Sequence, residues 1–340
     1  MAIIITVIGF GIMVFLHELG HFLTAKRFGV LVHEFAIGMG PKLLSFGKGE
    51  TKYSLRLFPI GGYVQLEGEN ETKESDNPRS FSNIHPLKRI IVLAAGAFMN
   101  LLLGFLIFTV INLNIGVTPT IIDTIPEEYR EHQTVLQSGD EIIKLDNTRV
   151  HMRDDVSLFM SGCDENDTID ITLNRGGKTQ VISDYKPIKT EYGYMLGVQF
   201  KNMKASVFTA SRFALYDTAY ITKAVVFAIR DLITGKASLN SLSGPVEIVS
   251  VVDTVASGQN PYILLSVLML FAMISVNLGV FNLLPFPALD GGSIIFALYE
   301  LITKKKVKSE IAGYASIIGF ALLMLLAIYV TAGDIAALIK

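Results

Sequence analysis

His17-Glu18-Leu19-Gly20-His21 stands inside an apolar stretch, Met1 to Ala25, that holds no Lys, Arg or Asp. A bilayer crossing takes roughly 20 mostly apolar residues, so this stretch is expected to be a membrane-spanning helix. On a helix, residues 17 and 21 lie one turn apart on one face, where both imidazoles can point at a single metal ion. Ionisable groups inside a span cost on the order of 2–3 kcal/mol each unless they have partners and a task. A zinc site gives them both. A buried polar packing cluster or an ion path is the competing account.

Outward from that stretch, three more segments reach spanning length: about 90–111, about 262–281 and about 311–332. The whole chain of 340 residues is 51% hydrophobic and 18% charged, with a mean hydropathy of +0.47. It is too apolar for an ordinary soluble protein. The expected fold is membrane α-helical, with four transmembrane helices. A net charge of -2 offers nucleic acid no electrostatic footprint. Cys163 is the only cysteine, which excludes an intrachain disulfide and a thiolate zinc cluster. A metal must therefore use His and carboxylates.

The loops divide the rest. Met1-Ala2-Ile3 lacks the basic start of a cleavable signal, so the first span is expected to stay. Lys26 and Arg27 follow that span, Lys88 and Arg89 precede the second, and Lys304, Lys305, Lys306 and Lys308 precede the fourth, whereas 113–129 and 241–261 hold no Lys or Arg. The positive-inside rule then puts both termini and 113–260 outside and 26–87 in the cytoplasm. Residues 1–112 read as the first half of a membrane core, 115–205 as a small β-rich external domain, 206–260 as an amphipathic connector and 261–340 as the second half. Arg212, Asp217, Lys223, Arg230 and Asp231 argue against a fifth span in the connector. In the cytoplasmic loop, alternation from Tyr53 to Leu57, then Pro59-Ile60-Gly61-Gly62, predicts a hairpin over about 52–66.

Catalytic zinc takes three protein ligands and keeps a position open. Asp290, in Asn282-Leu-Leu-Pro-Phe-Pro-Ala-Leu-Asp290-Gly-Gly, is the candidate third ligand. At 1.5 Å per residue His17 lies roughly 24 Å deep, and the third span reaches a similar depth near Asn282. Pro285 and Pro287 then break the helix, as membrane-depth backbone does where it lines a cavity. Asp290-Gly291-Gly292 reads locally as a loop turn. Glu18 would serve as general base on a water that the metal makes more acidic, which is amide-hydrolysis chemistry. Asn282 and Asn277 could donate to a substrate carbonyl or cap the broken helix; Asn100 could glue helices or serve the site. His33, His85, His132 and His151 lack partners at ligand spacing and read as solvated or satisfied side chains.

Together, His17-Glu-Leu-Gly-His21 and Asn282…Leu289-Asp290-Gly291 resemble the bacterial site-2 proteases, a family of intramembrane zinc metalloproteases. Gly61-Gly62-Tyr63-Val64, Gly96 to Asn100 and Ser243-Gly244-Pro245-Val246 are similar to that family as well. The resemblance implies one Zn2+ held by His17, His21 and Asp290, with Glu18 catalytic. It implies that the 52–66 hairpin, with Gly61 and Gly62, pairs with an unwound substrate strand, and that substrates are single-span membrane proteins such as anti-sigma factors, or signal-peptide remnants. Leu136-Gln-Ser-Gly139-Asp140-Glu-Ile-Ile-Lys-Leu-Asp146 resembles a single PDZ domain, as in the Gram-positive type, although the pattern usually has Gly where Asn147 or Thr148 stands. A non-proteolytic scaffold that binds exported peptides through that domain is the alternative, and an ion transporter is a third; the sequence fixes no oligomeric state.

Overall fold

The computed structural model describes residues 2–47, 49–69, 76–130, 135–191, 193–238, 244–258 and 261–339. Two compact units emerge, one made of Met1–Gly104 with Val225–Lys340, the other of Phe105–Ala224.

In the first unit, apolar sequence without internal proline gives long helices, because backbone N–H and C=O groups in hydrocarbon have to be satisfied within the segment. These are α1 (Ala2–Arg27), α2 (Pro86–Ile115), which runs on past the unit boundary, α6 (Ile263–Asn282) and α8 (Ser309–Ile339). By length and composition four helical segments among the described residues could cross a membrane: Ala2–Arg27, Pro86–Ile115, Ile263–Asn282 and Glu310–Ala336. Lys26 and Arg27 close α1, where cations favour the helix dipole. Only 6% of the apolar window of α8 is buried in protein. Its Ile317, Phe320 and Leu325 are left for lipid to cover.

Between α1 and α2 lie β1 (Val32–Phe46) and β2 (Lys52–Leu66), paired antiparallel. Here the expected hairpin over 52–66 is corrected. The two halves of β2 do not pair with each other; 52–55 and 62–65 flank 34–37 on opposite sides, with Ala36 opposite both Ser54 and Tyr63. The far half of β1 then returns along β2, Phe46 opposite Tyr53. Gly38 and Gly40 permit this, at φ +83° and +86°, by turning β1 back on itself where alternation fails. The sheet is pinned to α1 by aromatic rings: Phe35 lies 5.9 Å from Phe15 and 5.1 Å from Phe22. Glu18 shares that helix face, at i+3 from Phe15.

The connector expected over 206–260 divides. α4 (Val207–Ile233) is one long helix that does not qualify as a span by composition, and α5 (Pro245–Ser257) is a separate helix packed with α1, α6 and α8. Asp334 of α8 accepts from the Gly244 and Glu247 backbone N–H groups (3.3 and 3.0 Å), capping α5. Ser243, named in the resemblance, lies outside the described residues, as does His132. The expected loop turn at Asp290 is also corrected: Asp290 is the first residue of α7 (Asp290–Thr303). Asp in a first turn suits the dipole, and Gly291 and Gly292 let that turn pack onto the preceding loop. A Cβ at Gly291 would stand 2.1 Å from the Leu284 carbonyl oxygen.

The second unit holds the insert. β4 (Glu141–Leu145), β5 (Thr148–Arg149), β6 (Ile169–Arg175) and β7 (Lys178–Tyr185) form a sheet in the order β5-β4-β6-β7, with α3 (Arg153–Met160) beside it. β3 (Ile122–Thr124) pairs with β10 (Gln199–Phe200), and β8 (Ile188–Thr190) with β9 (Gly193–Met195). Inward residues of alternating strands, Ile142, Leu145, Ile171 and Leu173, make the core with Val156 and Met160 of α3. A bridge between Val117 and Met203 closes the ends of the insert, close to the expected limits of 115 and 205.

Candidate metal centre and active site

α1 brings His17 and His21 to one side of the helix, against α2. They meet α2 at Gly96, and a Cβ there would stand 2.4 Å from His21 Nε2 and 2.7 Å from His17 Cε1. The two Nε2 atoms lie 3.1 Å apart. Asp290 completes the triangle, its Oδ2 3.2 Å from His17 Nε2 and 3.5 Å from His21 Nε2. Ligands about 2.05 Å from a tetrahedral zinc lie about 3.3 Å from one another, so these edges fit one ion. The donor set fits too. Asp290 Oδ2 is buried and makes no hydrogen bond of acceptable angle despite its two near nitrogens, as expected when three lone pairs converge on one point. Among the described residues this is the one cluster of three or more His, Cys, Asp or Glu that could hold a metal.

The surroundings orient the ligands. His21 Nδ1 lies 2.8 Å from the Val92 carbonyl oxygen, which accepts its N–H and leaves Nε2 with a lone pair. His17 Nδ1 faces the amide of Asn100, which is fully buried.

Glu18 points the other way, to the sheet. A Cβ on Gly62 would lie 3.4 Å from Glu18 Cγ. A cavity of about 180 Å³ opens here, lined by the three candidate ligands together with Glu18, Tyr63, Val64 and Glu69 among others. At about 30 Å³ per water it holds several waters or a peptide group. Among the described residues the 62–65 segment is paired on the side of β1 only, which leaves its other edge open there.

Four expected residues therefore converge: His17, Glu18, His21 and Asp290. Gly62 abuts Glu18, whereas Gly61 sits one residue away against Met39. Asn282 is half-buried at the end of α6 and does not line the cavity; neither does Asn277. Tyr63, Val64 and Glu69 also line it; the sequence named Tyr63 and Val64 within the Gly61-Gly62-Tyr63-Val64 resemblance and did not single out Glu69. Tyr63 and Val64 follow the Gly61-Gly62 pair in the same strand, whereas Glu69 lies in the turn past the end of β2.

Comparison with known proteins gives the family. The model of peptidase family M50 matches residues 5–326. The chain belongs to peptidase family M50. A protein of Clostridium acetobutylicum carrying a provisional zinc metalloprotease name is 37% identical over 98% of this chain and 97% of its own. A similarly named Campylobacter jejuni protein is 33% identical over 98% and 93%. The zinc metalloprotease RasP of Geobacillus kaustophilus is 30% identical over 98% and 97%. This M50 protein is thus a zinc metalloprotease, with four helices among the described residues able to cross a membrane.

Proposed function

We propose that this M50 protein is an endopeptidase that cuts single-span membrane proteins, such as anti-sigma factors, and signal-peptide remnants, within or near the span. The observation that carries it is the meeting of His17, His21 and Asp290 at 3.1–3.5 Å, with Glu18 between them and an open strand edge. Bound there, zinc would supply Lewis acidity toward water and the scissile carbonyl. Glu18 takes a proton from the attacking water and delivers it to the leaving amide nitrogen, since its carboxylate stands between the cavity and the sheet. A substrate helix hides its amides in its own hydrogen bonds, so it has to unwind before attack. The open edge of 62–65 offers backbone groups to such a strand, and Gly62, lacking a Cβ, lets it run close to Glu18.

In this reading the M50 chain has both termini and the 115–205 domain outside the cell, with the site toward the cytoplasm. The 115–205 domain is of PDZ type and screens or docks substrates already trimmed outside. Asn282, the last residue of α6, stands off the cavity and would serve the substrate carbonyl only if that helix end moved.

The test is cleavage of a tagged single-span substrate in detergent micelles by wild type, Glu18→Gln and Asp290→Ala, with zinc measured on each. Product from wild type alone, zinc kept in Glu18→Gln and lost in Asp290→Ala, is the expected result. Cleavage by Glu18→Gln at the wild-type rate would refute the mechanism.

A further inference from the structure

Asn100 lies on α2 one turn beyond Gly96, entirely buried, with its side-chain nitrogen 3.3 Å from His17 Nδ1. Its side-chain oxygen is buried without a hydrogen-bond partner. A His that ligates through Nε2 is neutral and carries its proton on Nδ1. That proton makes Nδ1 a donor, and with the amide nitrogen facing it two donors would meet. The amide oxygen and nitrogen are alike in shape, and a half-turn about the last side-chain bond exchanges them. With nitrogen toward His17, the oxygen has no partner among the described residues, so no bond of its own holds the amide in that orientation. Only the one with oxygen toward His17 leaves Nε2 a lone pair for a metal.

We propose that Asn100 is a positioning residue that accepts the Nδ1–H of His17 through its side-chain oxygen and so aims Nε2 at the zinc. The inference rests on the reading of His17 as a ligand. It also completes a symmetry in the site, because Val92, two turns earlier on α2, accepts the corresponding Nδ1–H of His21 at 2.8 Å. One helix therefore sets the tautomer of both imidazoles, once with a main-chain carbonyl and once with a side chain. Packing between helices does not need the amide: α6 grips this turn of α2 through Ser275 Oγ, which donates to the Asn100 main-chain carbonyl at 2.8 Å. That bond survives any side-chain substitution.

Asn100→Leu and Asn100→Asp, each in the full chain in micelles, test this by zinc affinity in competition with a chelator. Leu keeps the shape and removes the acceptor, and a 10–100-fold loss of zinc affinity is expected. Asp keeps the acceptor and removes the donor, and affinity within a few-fold of wild type is expected. Zinc binding by Asn100→Leu at wild-type strength would overturn the proposal. So would an Asp variant as weak as the Leu variant, because that is the pattern of an amide donor or of mere packing. If Asn100→Leu does not fold without zinc, the comparison of Asn100→Asp with wild type still decides. His17→Ala separates the two failures: wild-type zinc affinity there removes the ligand reading itself, whereas zinc loss there with none in Asn100→Leu removes only the role of Asn100.

Discussion

Gly96→Ala adds one methyl group at the point where α2 touches both imidazoles. The new Cβ would stand 2.4 Å from His21 Nε2, 2.7 Å from His17 Cε1 and 2.8 Å from His17 Nε2. Restoring ordinary contact, near 3.5 Å, takes a retreat of roughly 1 Å by one ring or by the helix. Neither ring is free to swing. His21 is tied to Val92 and His17 faces the buried Asn100, so the displacement falls on the ligand triangle, whose edges are already 3.1–3.5 Å. A misplacement of about 1 Å can cost on the order of 100-fold in rate, and a comparable loss in zinc affinity is expected. Helix propensity pushes the other way, because Ala is about 1 kcal/mol better than Gly inside a helix. The assay is zinc affinity by chelator competition together with cleavage of the single-span substrate. Gly313→Ala in α8, with nothing within 4 Å of its Cβ, is the control and should change neither. Wild-type affinity and cleavage in Gly96→Ala would refute the close packing of α1 on α2.

Two further predictions concern parts away from the metal. Burial works against the charge of Glu34, but Ser54, Lys42, Tyr63 and Arg56 hold its carboxyl down at about 2 against an ordinary 4.5. The folded sheet therefore binds fewer protons than the unfolded one, and the contribution of Glu34 is present above pH 4.5 and lost as pH falls from there through 2. About 2.5 pH units correspond to roughly 3 kcal/mol at most. Hydrogen exchange at Phe35–Ile37 should accelerate beyond the intrinsic rate over that window in wild type and not in Glu34→Gln; protection independent of pH in wild type would count against it. In the insert, the buried Asp140 accepts two bonds from Arg175, both 2.7 Å, and one from the Gln137 N–H at 2.9 Å. Arg175→Met strands that carboxylate and should destabilise the insert by about 3 kcal/mol, read as lost protection at Ile142 and Leu173. Unchanged protection there would mean that the pair holds nothing together.

The sequence by itself determined the spans and the chemistry. A run such as Met1–Ala25 has one stable form in hydrocarbon, and His17, Glu18 and His21 inside it are too costly to be incidental, so helix and metal chemistry follow locally. The β-rich character of the insert was legible for the same reason, since strand period is a local property. Tertiary structure decided what depends on contact between segments far apart in the chain. Which strands flank 34–37 rests on two left-handed glycines and on aromatic packing against α1, not on the alternation of 52–66. That Asp290 opens a helix rather than a loop turn depends on two glycines packing beneath Leu283 and Phe286. The surroundings of the candidate metal centre were legible only in part, since Gly96 and Asn100 stood out in the sequence but their partners did not. Val92, Gly96 and Asn100 act on residues more than 70 positions away, and no spacing within α2 announces what lies across the interface.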